Sequence, residues 1–161
     1  MRNLKLVIWS IFALYWQIFI APKFTISGIQ PDFLIPYVIF INLKFDYNFT
    51  LPITFILGIS LDLLHPATLG LHTISLLLIS FFVHNFHQPI NKKRLIVVFL
   101  AIFILNLSHY FIFFLFQFIS SSLTSGLPLS YFYWLIYNSL LSFITVYFLL
   151  LIDKLKITID A

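Results

Sequence analysis

An aspartate stands in the middle of an apolar run that is long enough to cross a membrane. Asp62 has leucines on both sides and is followed shortly by His65-Pro66. A carboxylate near hydrocarbon costs about 2.5 to 3.5 kcal/mol on insertion scales, so its side chain should face the protein interior and have a partner. Gly58 lies one turn before Asp62 and His65 about one turn after it, which places all three on one helix face. Glycine at position 58 would let another backbone approach that face closely.

Two interpretations of this face remain open at the level of the residues. Pro66 ends the helix, and His72 begins the next apolar run after a tight turn, so Asp62, His65 and His72 are expected to cluster. The cluster is either a polar site for a ligand, a proton or a partner, or a hydrogen-bonded carboxylate that holds a helical hairpin. Because one ionisable residue does not make a transport pathway, the hairpin interpretation is favoured.

A second aspartate opens a short apolar run. The run Phe33–Leu43 would be only about 16 Å long as a helix. Asp32 is suited to be its N-cap, and Pro36 falls near the first turn, where a missing N–H costs little. Because irregular backbone inside a membrane must be covered by protein or water, we expect Thr25–Asp32 to pack against other spans, and the segment could be partly re-entrant.

Further polar residues lie within the last two apolar runs. Hydrogen bonding between helices explains them better than ligand binding does. They are Asn106, His109 and Gln117 in the fifth run and Asn138, Ser142 and Thr145 in the sixth.

Catalysis and metal binding find little support among the residues. His84 and His87 resemble half a metal site, but no carboxylate or cysteine lies nearby in the sequence. The chain has no nucleophile elbow, no glycine-rich phosphate loop and no paired carboxylates. We therefore expect neither an enzyme nor a protein that needs a metal or another cofactor.

The composition identifies the medium in which the chain folds. Hydrophobic residues make up 61% and charged residues 9%, with a mean hydropathy of +1.06, whereas soluble domains carry roughly 25% charged residues. This predicts an all-α polytopic protein of the lipid bilayer, with residues 1–161 forming a single integral membrane domain. The formal charge of +4 comes from basic residues in short gaps between apolar runs, which argues against a nucleic-acid partner.

Six apolar runs are candidates for transmembrane helices across a core of about 30 Å. They are Leu6–Ala21, Phe33–Leu43, Phe49–Leu64, Leu69–Phe86, Leu95–Ile119 and Tyr131–Ile152. The first has the charged start of a secretion signal, but no A-x-A-type cleavage site precedes Pro22, so we expect it to remain as the first span.

Lysine and arginine are distributed unequally between the two sides that six crossings define. One side receives Arg2, Lys5, Lys44, Lys92, Lys93, Arg94, Lys154 and Lys156, and the other only Lys23. The positive-inside rule therefore predicts that both termini are cytoplasmic. Five spans, without the second crossing, would divide the basic residues between the two faces.

Two blocks of the sequence resemble the MreD family of bacterial rod shape-determining membrane proteins. Residues 30–48 are similar in the Pro-Asp opening of a short second span, and residues 58–82 in a G-x-x-x-D-L-L hairpin that turns through a Leu-Gly-Leu step. His65-Pro66 departs from the small turn residues of the family. The positions that match are Pro31, Asp32, Gly58, Asp62, Leu63, Leu69, Gly70 and His72.

The resemblance implies a non-catalytic subunit of the cell-elongation (rod) complex in the bacterial cytoplasmic (inner) membrane. Such a subunit regulates cell shape and lateral peptidoglycan synthesis by binding the bitopic scaffold MreC. A peptidoglycan glycosyltransferase and transpeptidase pair and, indirectly, MreB filaments are the further partners that it implies. The candidate partner- or ligand-binding residues are Pro31, Asp32, Gly58, Asp62, Gly70 and His72.

The same resemblance carries an alternative function. The MreD family is similar in architecture to the S components of energy-coupling-factor transporters, which are six-span proteins that bind vitamins. The alternative is thus a small-molecule binding subunit of a transporter. Its first span would need an A-x-x-x-A surface to dock a coupling subunit, and this chain offers only Ser10 and Ala13. A proton- or ion-coupled carrier would need more intramembrane ionisable groups than Asp62.

The charge asymmetry yields a test of topology that the absence of native cysteine makes simple. Single cysteines replacing Thr68 and Thr124 should react with an impermeant thiol reagent on cells whose outer membrane, if present, is permeabilised. A cysteine replacing Lys92 should react only after the cytoplasmic membrane is opened. Labelling of the Lys92→Cys variant in intact cells, with protection of Thr68→Cys, would contradict the predicted orientation.

Overall fold

The computed structural model describes residues 2–26, 28–64, 66, 69–85, 95–120 and 129–159. Within these ranges the chain forms six α-helices, close to the six predicted runs, and the prediction of an all-α membrane protein is confirmed. The helices are α1 (Arg2–Tyr15), α2 (Leu34–Lys44), α3 (Tyr47–Leu64), α4 (Leu71–Asn85), α5 (Leu95–Ser120) and α6 (Leu129–Ile159). A π-helical turn, Trp16–Ile20, and a 3₁₀ turn, Ala21–Phe24, continue α1.

The helices differ in whether they could cross a membrane. Among the described residues, four stretches are long and apolar enough to do so. They are Leu4–Phe24, Tyr47–Leu64, Val98–Phe116 and Phe132–Ile152. The other two helices, α2 with 11 residues and α4 with 15, are apolar but shorter.

The short helix α2 lies at the centre of the bundle. It packs against α1, α3, α4 and α6, and Leu34, Ile35, Val38 and Ile39 along it are fully buried. A helix that is apolar on all sides is stable where protein surrounds it. Because its neighbours separate α2 from the surroundings, α2 does not need the length of a lipid-exposed span.

Consecutive helices run in opposite directions, so several helix ends meet at one end of the bundle. The residues after α1 contact the start of α2 through Gln17, and the end of α3 contacts the start of α4 through Asp62. The first part of α6 reaches the same place through Asn138. We call this the Asp32 end of the bundle.

Helices α3 and α4 form a tightly packed hairpin. A Cβ atom added at Gly58 would lie 2.5 Å from the Cα of Thr73, which is closer than two such atoms can approach. The two backbones therefore meet at this point, and only glycine fits there. The predicted close approach at Gly58 is confirmed.

The segment between α1 and α2 corrects one prediction. Thr25, Ile26 and Gln30 are exposed, and only Pro31 and Asp32 at its end are buried. The expectation that the whole stretch packs against other spans is thus wrong. Ile26 and Ile29 exchange backbone hydrogen bonds of 3.0 and 2.9 Å, with Gly28 at φ +80°, so the turn satisfies much of its own backbone without cover.

Polar side chains join helices at two further places in the bundle. Asn42 Oδ1 accepts hydrogen bonds from Thr50 Oγ1 (2.8 Å) and Ser80 Oγ (2.7 Å), which joins α2 to α3 and α4. Ser142 Oγ donates a long bond of 3.5 Å to Asn106 Oδ1, which joins α6 to α5. The packing role predicted for Asn106 and Ser142 is confirmed.

The structure describes the side chain of one of three further polar residues that the sequence analysis considered, His84, His87 and Gln117. His84 stacks on Tyr47 with ring centroids 4.2 Å apart. His87 and the side chain of Gln117 fall outside the described residues.

The helix contact at Gly58 predicts a large effect from a single methyl group. Gly58→Ala should destabilise the protein by about 1 to 3 kcal/mol, because the helices must separate to admit the Cβ atom. This outweighs the gain of about 1 kcal/mol that alanine brings to a helix interior. Thermal unfolding in detergent measures the effect.

Ser60→Ala is the matched control, since Ser60 lies on the same helix and its hydroxyl bonds only the α3 carbonyl of Ile56. We expect it to change stability by less than about 0.5 kcal/mol. Equal stability of the two variants would show that α3 and α4 do not meet as closely as described.

Candidate functional site

A cavity of about 460 Å³ lies at the Asp32 end of the bundle. All six helices or their extensions contribute to its wall. The polar and aromatic lining residues are Gln17, Gln30, Asp32, His72, His109, Tyr110, Phe113 and Trp134, and the others are Ile18, Pro22, Pro31, Leu61 and Leu64. Pro22, Gln30 and Leu64 are exposed, so the cavity reaches the protein surface beside them.

Asp32 caps the central helix with one of its two carboxylate oxygens. The N–H groups of Leu34 and Ile35 donate to Asp32 Oδ1 at 2.9 and 3.2 Å. These groups have no intrahelical acceptor, and the carboxylate also meets the positive end of the helix. Phe33 rather than Asp32 occupies the N-cap position, because its carbonyl accepts from the N–H of Tyr37, but the predicted capping by the Asp32 carboxylate is confirmed. The cap leaves Oδ2 for another interaction.

Two amide side chains hold the backbone around Asp32. Gln17 donates from Nε2 to the carbonyl of Pro31 (3.2 Å) and accepts at Oε1 from the N–H of Phe33 (2.7 Å). Asn138 Oδ1 accepts from the N–H of Asp32 at 2.7 Å. The irregular chain that leads into α2 is thus hydrogen-bonded by side chains of the first and last helical segments, as a buried backbone requires.

Asp62 caps a helix to which it does not belong. Gly70 occupies the N-cap position of α4, since its carbonyl accepts from Ile74 N–H at 3.0 Å, but glycine has no side chain to bond the free N–H groups. Asp62 Oδ1 accepts instead from the N–H of His72, and Oδ2 from the N–H of Thr73, both at 3.0 Å. The side chains add two contacts, from His72 Nδ1 (3.0 Å) and Thr73 Oγ1 (2.5 Å).

This arrangement supports the hairpin interpretation of Asp62. Both carboxylate oxygens are occupied by groups of α4, and the residue is 3% exposed. His72 joins Asp62 as predicted, whereas His65 falls outside the described residues. The carboxylate is buried because the start of α4 supplies the donors that replace water.

A cluster of rings forms the wall between the two aspartates. His109 stacks on Trp134 with centroids 5.7 Å apart and an interplanar angle of 12°. Phe113 lies 4.9 Å from both His72 and His109. Ser75 Oγ and His109 Nδ1 form a short hydrogen bond, which orients the imidazole so that Nε2 lies 3.9 Å from Asp32 Oδ2.

The comparison with protein families supplies the identity of this bundle. Residues 1–155 match the family described as rod shape-determining protein MreD. The chain belongs to the MreD family. It is therefore a rod-shape-determining membrane protein. No curated protein and no solved structure matches the chain in the corresponding comparisons, so the likeness to transporter S components stays a prediction.

The two blocks that carried the resemblance to MreD meet in the structure. Pro31 and Asp32 of the first block and His72 of the second line the same cavity. Asp62 contacts His72 through hydrogen bonds. Gly70 has φ +91° in the turn before α4, and Gly58 lies farther along the hairpin at the contact with Thr73. The binding role given to these six residues remains a prediction.

Other site residues of this MreD-family protein gave little signal in the sequence. Gln17 interrupts an apolar run, and nothing in that pattern indicates that its amide bonds the chain beside Asp32. Trp134 stands near the start of the last apolar run, where aromatic residues often mark a lipid interface, but it lines the cavity. The sequence analysis gives Asn138 and His109 a role in helix packing alone. The periodicity of a helix places a residue on a face but does not identify the neighbour across it.

The lining of the cavity offers groups for non-covalent contacts. Among the described residues, no group of three or more His, Cys, Asp or Glu side chains is placed to hold a metal ion. The cavity instead combines a carboxylate with one oxygen outside the helix cap, an imidazole nitrogen and aromatic rings, which suit non-covalent binding.

The cap at the start of α4 predicts that loss of the Asp62 carboxylate is costly. Asp62→Ala should destabilise the protein by about 3 kcal/mol, because several buried donors lose their acceptor. Asp62→Asn should cost about 1 kcal/mol, since one oxygen remains to accept at the helix start. Unfolding in mixed micelles measures both values.

Asp46→Asn serves as the control for charge, because Asp46 is exposed and asparagine can replace aspartate before a helix. It should leave the unfolding transition within about 0.5 kcal/mol. The account of Asp62 fails if Asp62→Ala proves no more damaging than this control.

Proposed function

We propose that this chain is the non-catalytic membrane subunit of the bacterial cell-elongation complex that binds an MreC-like bitopic scaffold. Through that partner it regulates lateral peptidoglycan synthesis by a glycosyltransferase and transpeptidase pair, with MreB filaments connected indirectly. The observation that carries this proposal is the match of residues 1–155 to the MreD family. The family name states the effect on cell shape, and the partners are the proposed route to that effect.

The surface of α1 supports the scaffold over the transporter alternative. Ser10, one of the two small residues that could imitate a docking stripe, is 5% exposed, and its hydroxyl bonds Tyr37 OH (2.7 Å) and the carbonyl of Leu6 (2.8 Å). It therefore faces α2 and is not available to a coupling subunit. The outer face of α1 presents large side chains, with Trp9 61% and Phe12 49% exposed.

Such an apolar face is compatible with a partner helix in the bilayer. Association of membrane helices depends on close packing and a few hydrogen bonds, since lipid is as apolar as the side chains it would replace. Trp9 and Phe12 already form an edge-to-face pair with centroids 5.9 Å apart. A bitopic partner would pack against rigid rings and lose little side-chain entropy.

The proposed topology has six crossings with both termini in the cytoplasm. The alternating helix directions described above are what six crossings require, and the distribution of lysine and arginine supports the orientation. In this orientation the Asp32 end of the bundle and its cavity face outward. The Lys44 end of α2 then lies near the cytoplasmic headgroups.

Capture of the partner tests the proposal. The full-length chain, tagged and extracted from membranes of a rod-shaped host, should retain an MreC-like protein. Depletion should turn rods into rounded cells, and Asp46→Asn should restore the rod shape whereas Asp62→Ala should not. The reason is that the second variant loses the cap that holds α3 to α4.

The transporter alternative predicts different results from the same capture and depletion experiments. It requires an energy-coupling subunit in the extract and a growth defect that raised vitamin concentrations relieve. Unaltered cell shape after depletion, together with vitamin rescue, would overturn the scaffold proposal.

A further inference from the structure

Two polar atoms of the cavity lining face each other without a hydrogen bond. Asp32 Oδ2 and His109 Nε2 are 3.9 Å apart, which exceeds hydrogen-bond distance. The other polar atom of each side chain is engaged, Oδ1 by the start of α2 and Nδ1 by Ser75. Within the described part of the chain, Asp32 Oδ2 has no closer donor, although its side chain is only 12% exposed.

The charge of the cavity is unbalanced at this oxygen. The lining residues that the structure describes include no lysine or arginine, and the positive end of α2 is directed to Oδ1. A carboxylate in a mostly buried side chain is stabilised by a partner of opposite charge. A ligand in the cavity that brings a positive charge or an N–H group to Oδ2 would supply that partner.

The aromatic part of the lining suits a cation rather than a neutral donor. Tyr110, Phe113 and Trp134 line the cavity together, and Tyr110 and Trp134 have centroids 5.7 Å apart. Aromatic faces attract organic ammonium groups within about 6 Å, with about 2 kcal/mol or more where water is excluded. A carboxylate opposite several rings is the combination by which proteins recognise substituted ammonium groups.

We propose that the cavity binds an organic ammonium group, with its positive charge at Asp32 Oδ2 and its substituents against the rings of Tyr110, Phe113 and Trp134. A metal cation is disfavoured, because the described residues offer no set of three metal-ligating side chains there. The ammonium belongs either to a free small amine or to a phospholipid headgroup that enters beside the exposed Leu64. The site operates whether or not the chain binds a bitopic partner.

The test uses the purified full-length protein in nanodiscs of phosphatidylglycerol, which has no ammonium group. Equilibrium dialysis measures the binding of labelled choline and ethanolamine, and of 3,3-dimethylbutan-1-ol, which has the shape of choline without its charge. At least one amine should bind at least about tenfold more tightly than the neutral alcohol. In nanodiscs that also contain phosphatidylethanolamine, native mass spectrometry reports whether the protein retains that lipid selectively.

Two variants localise the binding. Asp32→Asn keeps an oxygen that can cap α2 but removes the charge, so affinity should fall at least about tenfold while the fold is retained. Asp46→Asn, which removes a carboxylate beyond the Lys44 end of α2, away from the cavity at its other end, should bind as the wild type does.

Each outcome decides the question. Charge-selective binding of a free amine that Asp32→Asn abolishes supports the proposal and identifies a soluble ligand. Selective retention of phosphatidylethanolamine, lost in the same variant, supports it and identifies the lipid source. Equal binding of choline and the neutral alcohol, or no amine binding together with no lipid selectivity, overturns it without bearing on the capture of an MreC-like partner.

Discussion

The structure depends on how helix N-termini are satisfied inside a protein that lies in a membrane. The first N–H groups of a helix have no intrahelical acceptor, and hydrocarbon offers none. Asp32 and Asp62 supply the acceptors for α2 and α4, which are the two apolar helices shorter than the four candidate spans. Both carboxylates are buried where donors and the positive helix ends stabilise their charge.

The two aspartates differ in how many of their carboxylate oxygens bond a helix N-terminus. This difference distinguishes the structural role of Asp62 from the place of Asp32 in the candidate site. Asp62 uses both oxygens on α4 and fixes the hairpin whose backbones meet at Gly58. Asp32 uses one oxygen on α2 and turns the other toward His109. The polar cavity thus lies at the Asp32 end of the bundle, beside the carboxylate that has one oxygen outside the helix cap.

Much of this organisation could be predicted from local sequence. The apolar runs predicted the bounds of α2 to α5 to within two residues, and the capping of α2 by Asp32 and the close approach at Gly58 follow from residue type and spacing. The bounds of α1 and α6 differ more, since α1 passes into a π-helical turn after Tyr15 and α6 extends to Ile159. Other features depend on residues far apart in the chain. Gln17 bonds Pro31 and Phe33, and Asn138 bonds Asp32, across spans whose mutual rotation a single sequence does not determine. The exposed turn at Gly28 was mispredicted because its own hydrogen bonds replace the cover expected from other helices.

Amide hydrogen exchange of the wild-type protein in nanodiscs tests the central claim most directly. The N–H groups of His72 and Thr73 lie in the first turn of α4, where uncapped amides exchange rapidly. Because Asp62 accepts from both, they should exchange about as slowly as amides in the middle of α4, and Asp62→Asn should accelerate them. Exchange at the rate of exposed first-turn amides in the wild type, with no change in the variant, would contradict the account.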